Sequence, residues 1–424
     1  METQPPKGTK DSYGQEEILR QEIINTIIRN FELFGFNPLR TPTMEYLEVL
    51  SSKYAGGSQI LKEIFKLKDQ GQRDLGLRYD LTVPLARFIA ANKNIKLPYK
   101  RYQIGQVYRD GPIKAARYRE FTQCDADIVG ANSLLADAEI LSLASKVFRE
   151  LDLDVIIKLN SRKLLSELMK LNNIEKEKRE DVLLSLDKLE KFGRKKVEEE
   201  LKQKLLDQKQ IDSLFKILLT KKDDQEILID LKQKLQDQTP MLELEELFNY
   251  LNMLGVKNIK LDLTLARGIN YYTGTIFEVY LTNSKITSSA AAGGRYDNLI
   301  GDFLGSKEQI PAVGISFGLD VISDAVSSLR QNQKTNTQVY IIPIGPINKA
   351  LELASTLRES AINTDIDLQA RGISKNLDYA NRYDIPYIIF IGKKEIEQNL
   401  YKLRDMKSGK EELLTKDEII EKLS

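Results

Sequence analysis

Residues 99–130, YKRYQIGQVYRDGPIKAARYREFTQCDADIVG, constrain this chain more than any other stretch. Tyr102, Ile104 and Val107 form a β-like run, and Phe121 to Val129 form a second. Asp110-Gly111-Pro112 and Ala115-Ala116 lie between them, so two strands joined by a loop are expected. Arg109 and Arg117 bracket the loop, with Arg119 just beyond. Guanidiniums stay charged and bond phosphate oxygens in pairs, so this end suits a polyphosphate. An ordinary solvated basic hairpin would carry the same residues. On the return strand Gln123, Asp125 and Asp127 alternate and share one face. A basic end beside an acidic, amide-lined face suits a ligand that is anionic at one end and a hydrogen-bond donor at the other.

The rest of the chain narrows the chemistry. Its 424 residues suggest two to three domains. The 63 basic and 62 acidic side chains nearly cancel, so contact with nucleic acid requires a local patch. Cys124 is the single cysteine, which excludes an intramolecular disulfide and a cysteine-based zinc site. There is no histidine, which removes every mechanism that needs an imidazole base, nucleophile or metal ligand. The amino terminus, METQPPKGTKD, lacks an apolar signal-like core, and no stretch approaches the length of a membrane span. A cytoplasmic protein is expected.

Taken in order, Ile24, Ile27, Ile28, Phe31 and Phe34 recur at helical spacing between Tyr13 and Gly35. Ser12 is the expected N-cap and Gly35 the expected residue after the C-cap. An extended segment with Pro38 and Pro42 follows. GLRYDLTVPLARF, residues 76–88, is a strand turning into a helix. If the strand persists, Asp80 and Thr82 share a face and can accept hydrogen bonds from an ammonium group; equally, they can cap the helix. A helix from Asp137 to Leu151 and a strand near Val155 to Leu159 come next. Residues 163–255 are dense in Lys, Glu, Asp, Gln and Leu and read as a solvated helical insertion. In LDLTLARGINYYTGTIFEVYL, residues 261–281, Arg267 stands beside a glycine turn followed by Tyr271 and Tyr272. An aromatic hairpin would explain the tyrosines but not Arg267. After a polar linker at 329–337, strands and helices alternate through 338–424, as in a small, mostly parallel α/β domain.

These motifs carry a resemblance. RYREF with Gln123 resembles motif 2 of the class II aminoacyl-tRNA synthetases, and the wording is closest to the histidyl-tRNA synthetases. YDLTVPLAR and RGINYYTG resemble peptides of the same family, and the helix before Pro38 is similar to motif 1, which in class II enzymes builds a dimer interface. IPAVGISFGLDVI, residues 310–322, resembles motif 3 but departs from it. Asp320 is followed by Val321, where the family carries an arginine for the nucleotide's terminal phosphate; Arg295 or Arg117 is a candidate to compensate.

The resemblance implies an α/β and α+β multidomain protein. Residues 1–328 would form a class II catalytic domain, an antiparallel sheet flanked by helices and interrupted by the insertion. Residues 338–424 would bind the anticodon. In relatives the insertion rests near the tRNA acceptor arm. Histidine and ATP would give histidyl-adenylate and pyrophosphate, and tRNA(His) would then take the histidyl group. The implied roles put Arg109 and Arg267 at the α-phosphate, Arg117 at the outer phosphates and Phe121 under adenine, with Mg²⁺ on the pyrophosphate. Asp127 and a tyrosine, Tyr271 or Tyr272, would hold the imidazole, and Asp80, Thr82 and Gln123 would surround the amino group. A homodimer is implied. The rival reading is a non-catalytic relative that regulates histidine biosynthesis or senses histidine.

Overall fold

The computed structural model describes residues 2–51, 59–113, 118–204, 206–266, 271–305 and 309–424. The chain forms two compact units, Met1–Lys10 with Ile23–Leu329 and Asp11–Glu22 with Arg330–Ser424.

The first unit is built on an eight-stranded mixed sheet. Across it run Asn37–Pro38, Tyr99–Tyr108, Glu120–Val129, Ala312–Gly318, Ala291–Arg295, Thr275–Leu281, Val155–Ser161 and Ile259–Leu261. The expected antiparallel pairing holds for the six central strands, and each edge adds a parallel pair. Tyr99–Tyr108 and Glu120–Val129 form a regular antiparallel pair in which Tyr99 pairs with Val129 and Tyr108 with Glu120.

Two different faces explain that hairpin's composition. On one, Cys124, Ala126 and Ile128 are buried together with Phe317. Phe317 packs against Phe31 and Phe148, with ring centroids 5.8 and 5.7 Å away. These two rings belong to helices Gln15–Leu33 and Leu135–Glu150, whose apolar faces cover the sheet. On the other face lie Phe121, Gln123, Asp125 and Asp127, which form a polar floor.

Helix Gln15–Leu33 ends as expected. Gly35 takes φ +76° and Phe36 N–H returns to Phe31 O at 3.0 Å. Its start differs from expectation. The helix opens after Gly14, whose carbonyl accepts from Ile18 N–H, and the Ser12 hydroxyl has no hydrogen-bond partner. A flexible glycine at the helix entry places Ser12 too far back to cap it.

Strand Asp74–Leu77 likewise stops short of Asp80, and a separate helix runs Thr82–Ala91. The insertion region carries helices Arg162–Leu171, Arg179–Leu186, Leu189–Gln203, Gln208–Leu218, Asp224–Lys234 and Thr239–Met253. Leu183, Leu186 and Leu189 are buried among them. Asp207 and Asp223 begin two of these helices with capping boxes.

In the second unit, Val339–Pro343, Thr364–Ile366 and Tyr387–Ile391 form a parallel core. Tyr401–Asp405 and Glu411–Leu414 extend the expected, mostly parallel sheet with an antiparallel hairpin. Among the described residues no helix is long and apolar enough to cross a membrane.

Candidate active site

A cavity of about 280 Å³ opens on the polar face of the central strands. Asp80, Thr82, Arg109, Phe121, Gln123, Asp127, Tyr271 and Tyr272 all line it. These residues come from four separate stretches of sequence, and the sheet brings them together. Arg117 and Arg267, the other two guanidiniums singled out above, lie outside the described residues.

The floor has two ends. At one, Arg109 lies over the Phe121 ring at 5.1 Å and donates from Nε to Tyr79 O at 3.1 Å. Among the described residues Arg109 is the only cation on the cavity wall. At the other end Asp127 is almost fully buried. Its Oδ1 accepts from the Tyr296 hydroxyl, and its Oδ2 lies 2.7 Å from Nη2 of the fully buried Arg101. Burial pushes the Asp127 carboxyl up, and Arg101 and the Tyr296 hydroxyl pull against it. Burial, then the neighbouring Asp127, raises the Tyr296 phenol well above its ordinary value, so Tyr296 stays a donor. Tyr271 stacks at an angle on Tyr272, centroids 5.0 Å apart, and meets Tyr296 edge-on at 5.9 Å.

Two glycines make this end possible. A Cβ on Gly314 would collide with the Asp127 carboxylate, and one on Gly294 would press into the Tyr272 ring at 2.8 Å. Asp80 performs the capping role the sequence left open: its Oδ1 accepts from Val83 N–H at 3.0 Å while the residue still faces the cavity. Gln123 Nε2 donates to Ser316 Oγ at 2.5 Å.

Two functional neighbours went unread in the sequence: Arg101 and Tyr296, which hold Asp127. Asp125, expected on the same face as Asp127, lies on the floor beside it. Counting the hairpin register would have found Arg101, because it pairs directly with Asp127. One expectation is overturned. Arg295 cannot take over from the missing motif 3 arginine, because it is buried and held by Asp137, the Ala131 and Ser133 carbonyls and Asp297.

A family model described as histidyl-tRNA synthetase matches residues 8–322, and one described as an anticodon binding domain matches 338–424. The chain belongs to the histidyl-tRNA synthetase family. Histidine–tRNA ligase 1 of Bacillus anthracis is 44% identical over 418 residues, covering 97% of each chain. The crystal structure of histidyl-tRNA synthetase from Nostoc sp. PCC 7120 superposes with a TM-score of 0.88 at 28% identity, covering 100% of this chain and 99% of that one. A Bacillus halodurans structure titled as an ATP phosphoribosyltransferase regulatory subunit/histidyl-tRNA synthetase has a TM-score of 0.77 over 92% of this chain and 98% of its own. At 22% identity it shares the fold alone. The histidyl-tRNA synthetase relatives are enzymes that use ATP, histidine and tRNA, and the match to them over nearly the whole chain supports this activity over the regulatory reading.

Proposed function

We propose that histidine and ATP condense along the floor of this cavity, with histidine at the Asp127 end and the nucleotide at the Phe121 end. The observation that carries the reading is the meeting of Asp127, the tyrosine pair, Gln123, Asp80 and Thr82 with Arg109 and Phe121 on one wall. The attacking group is a carboxylate that is already ionised, so the first step needs no general base, in keeping with a chain that lacks histidine. It needs orientation, and positive charge where the phosphorus gathers negative charge.

Arg109 supplies that charge at the α-phosphate together with Arg267, and Arg117 serves the outer phosphates. Phe121 stacks on adenine. Asp127 accepts the imidazole N–H, oriented for it by Arg101 and Tyr296, and Tyr271 or Tyr272 donates to the other ring nitrogen. Asp80, Thr82 and Gln123 surround the amino group. Sites built for both ring nitrogens leave polar groups unpaired with other amino acids, which rejects them by a factor on the order of 10⁴.

Mg²⁺, which the family implies, neutralises phosphate charge when bound. Among the described residues no group of three or more acidic or thiol side chains is placed to hold a metal. Residues 1–328, with the insertion at 163–255, act as the catalytic domain, 329–337 as a linker and 338–424 as the anticodon-binding domain. Exposed Leu33, Met44 and Tyr46, close to the motif 1 segment, support a homodimer. The place of action is the cytoplasm, where tRNA is charged.

The test is histidine-dependent exchange of pyrophosphate into ATP. Wild-type exchange is expected with histidine and with no other amino acid. Arg109→Ala and Arg267→Ala are each expected to lose at least ~100-fold in exchange while histidine still binds. Wild-type protein that binds histidine without exchange would return the molecule to the regulatory reading.

A further inference from the structure

Asp125 is assigned no role by anything above, yet it is 2% exposed and faces the cavity between Gln123 and Asp127. Its Oδ1 has no hydrogen-bond partner. Gln123 Oε1, two residues back on the same face, also has none. Unsatisfied buried acceptors are uncommon, and two on residues that line one cavity point to a ligand with several donors.

The surrounding groups decide which donors. Asp127 accepts from the Tyr296 hydroxyl at Oδ1 and forms an ion pair with Arg101 through Oδ2, which accepts no hydrogen bond. Gln103, in register with Asp125 on one neighbouring strand, bonds Thr41. Ser316, in register on the other, receives the Gln123 amide and offers its own hydroxyl to Asp125. The charged or titratable groups facing Asp125 are Arg101, Arg78, Asp127, Asp80 and Tyr296. Arg78 is bonded to the Thr41 and Gln106 carbonyls, and Arg101 lies against Asp127. Three carboxylates therefore meet at this end against two guanidiniums, Arg101 and Arg78, and the one negative charge left over makes a place for a cation.

We propose that Asp125 is a further substrate-binding residue, its free oxygen accepting an N–H from the α-ammonium group of the amino acid. An ammonium has three N–H donors. Asp125 Oδ1 and Gln123 Oε1 take two, and the Asp80–Thr82 side takes the third. The proposal rests on the reading that the amino acid occupies the Asp127 end. Burial first, opposed by Arg101 and reinforced by Asp127, lifts the Asp125 carboxyl to about 7. A cation against it favours the ionised form and draws the group into binding.

Calorimetry on the full-length protein with three ligands separates the possibilities. Histidine and histidinol both carry the ammonium; 3-(imidazol-4-yl)propionate keeps the ring and carboxylate and lacks it. Asp125→Asn is expected to weaken histidine and histidinol by roughly 10- to 100-fold and imidazolylpropionate by less than about 3-fold. Asp125→Ala is expected to give the same pattern, so a folding failure in one variant leaves the other. Equal losses for all three ligands, or no loss for histidine, would overturn the assignment. Asp127→Asn is the control for the cavity reading. If it leaves imidazolylpropionate binding untouched, the amino acid does not sit at this end, and the Asp125 role goes with it.

Discussion

Two buried clusters in this molecule use the same residue types to opposite ends. In the C-terminal unit, Asp367 accepts from Gln369 N–H, Arg371 N–H, Arg371 Nε and Asn376 Nδ2, all between 2.6 and 3.1 Å. Asn376 Oδ1 accepts from the Tyr340 hydroxyl, which in turn accepts from Arg371 Nη2. The cluster is closed. In the cavity, Asp125 Oδ1 and Gln123 Oε1 are left over, and Arg101 Nε and Nη1 have no partner either. Burial raises both carboxyls. The four donors around Asp367 outweigh it and hold that group at about 2, whereas Asp125 rises to about 7. Both are shielded from water, Asp367 6% exposed and Asp125 2%, but Asp125 lies far deeper in the protein. Depth and the number of N–H groups aimed at the carboxylate together separate the two. A closed cluster belongs to the fold, and an open one awaits a ligand.

The strongest test breaks the open cluster's one firm pair. Asp127→Ala leaves Arg101 charged, buried and unpaired. It is expected to lose about 3–5 kcal/mol in a urea melt and to raise the histidine KM for exchange on the order of 100-fold. A melt like wild type would show that the Arg101 contact does not hold this end of the sheet.

The same Asp→Asn change should then move the two clusters in opposite directions. Asp125 has a folded pKa above its unfolded value of 3.8, so its contribution is full below pH 4 and is lost as pH rises through about 7. Asp125→Asn should therefore gain stability over wild type between pH 4 and 8, by about 2–4 kcal/mol at the upper end. Asp367 is depressed, so its contribution is full above pH 4 and is lost as pH falls through about 2. Asp367→Asn should cost the C-terminal unit about 2 kcal/mol at pH 7, with the deficit shrinking toward pH 2 and histidine-dependent exchange unchanged. Thermal melts of both variants across pH check the pair, and shifts of the same sign would end the contrast.

The contrast also marks what the sequence could reveal. The hairpin at residues 99–130 was legible because alternation and Asp-Gly-Pro are local signals. Cavity residues such as Thr82, Gln123 and Tyr272 were legible because they sit in characteristic peptides. Arg101 was hidden because its meaning depends on register across 25 intervening positions, although the pairing of Tyr108 with Glu120 fixes it. Arg295 drew attention as a candidate to replace the missing motif 3 arginine, and Asp137, on a distant helix, turns it into a structural residue. Tyr296, next to it, does the work at the site. The free oxygen of Asp125 had no sequence signal, because alternation gives a face and not a partner. In the C-terminal unit, Glu411–Leu414 lacks β-branched and aromatic residues, and only pairing with Tyr401–Asp405 makes it a strand.

The mildest test asks whether closure itself matters. Tyr340→Phe keeps the ring packed against Tyr379, at 5.3 Å, and removes one oxygen. Asn376 Oδ1 then loses its donor and Arg371 Nη2 an acceptor, while every bond to Asp367 remains. Because Asn376 is fully buried, its carbonyl cannot turn to water. A loss of about 1 kcal/mol is expected in the C-terminal unit, with Asp367 still titrating well below the ordinary carboxylate range by NMR. A carboxyl that climbs toward 4 in this variant would mean that the phenol holds Arg371 and Asn376 in place, and that the four donors do not suffice without it.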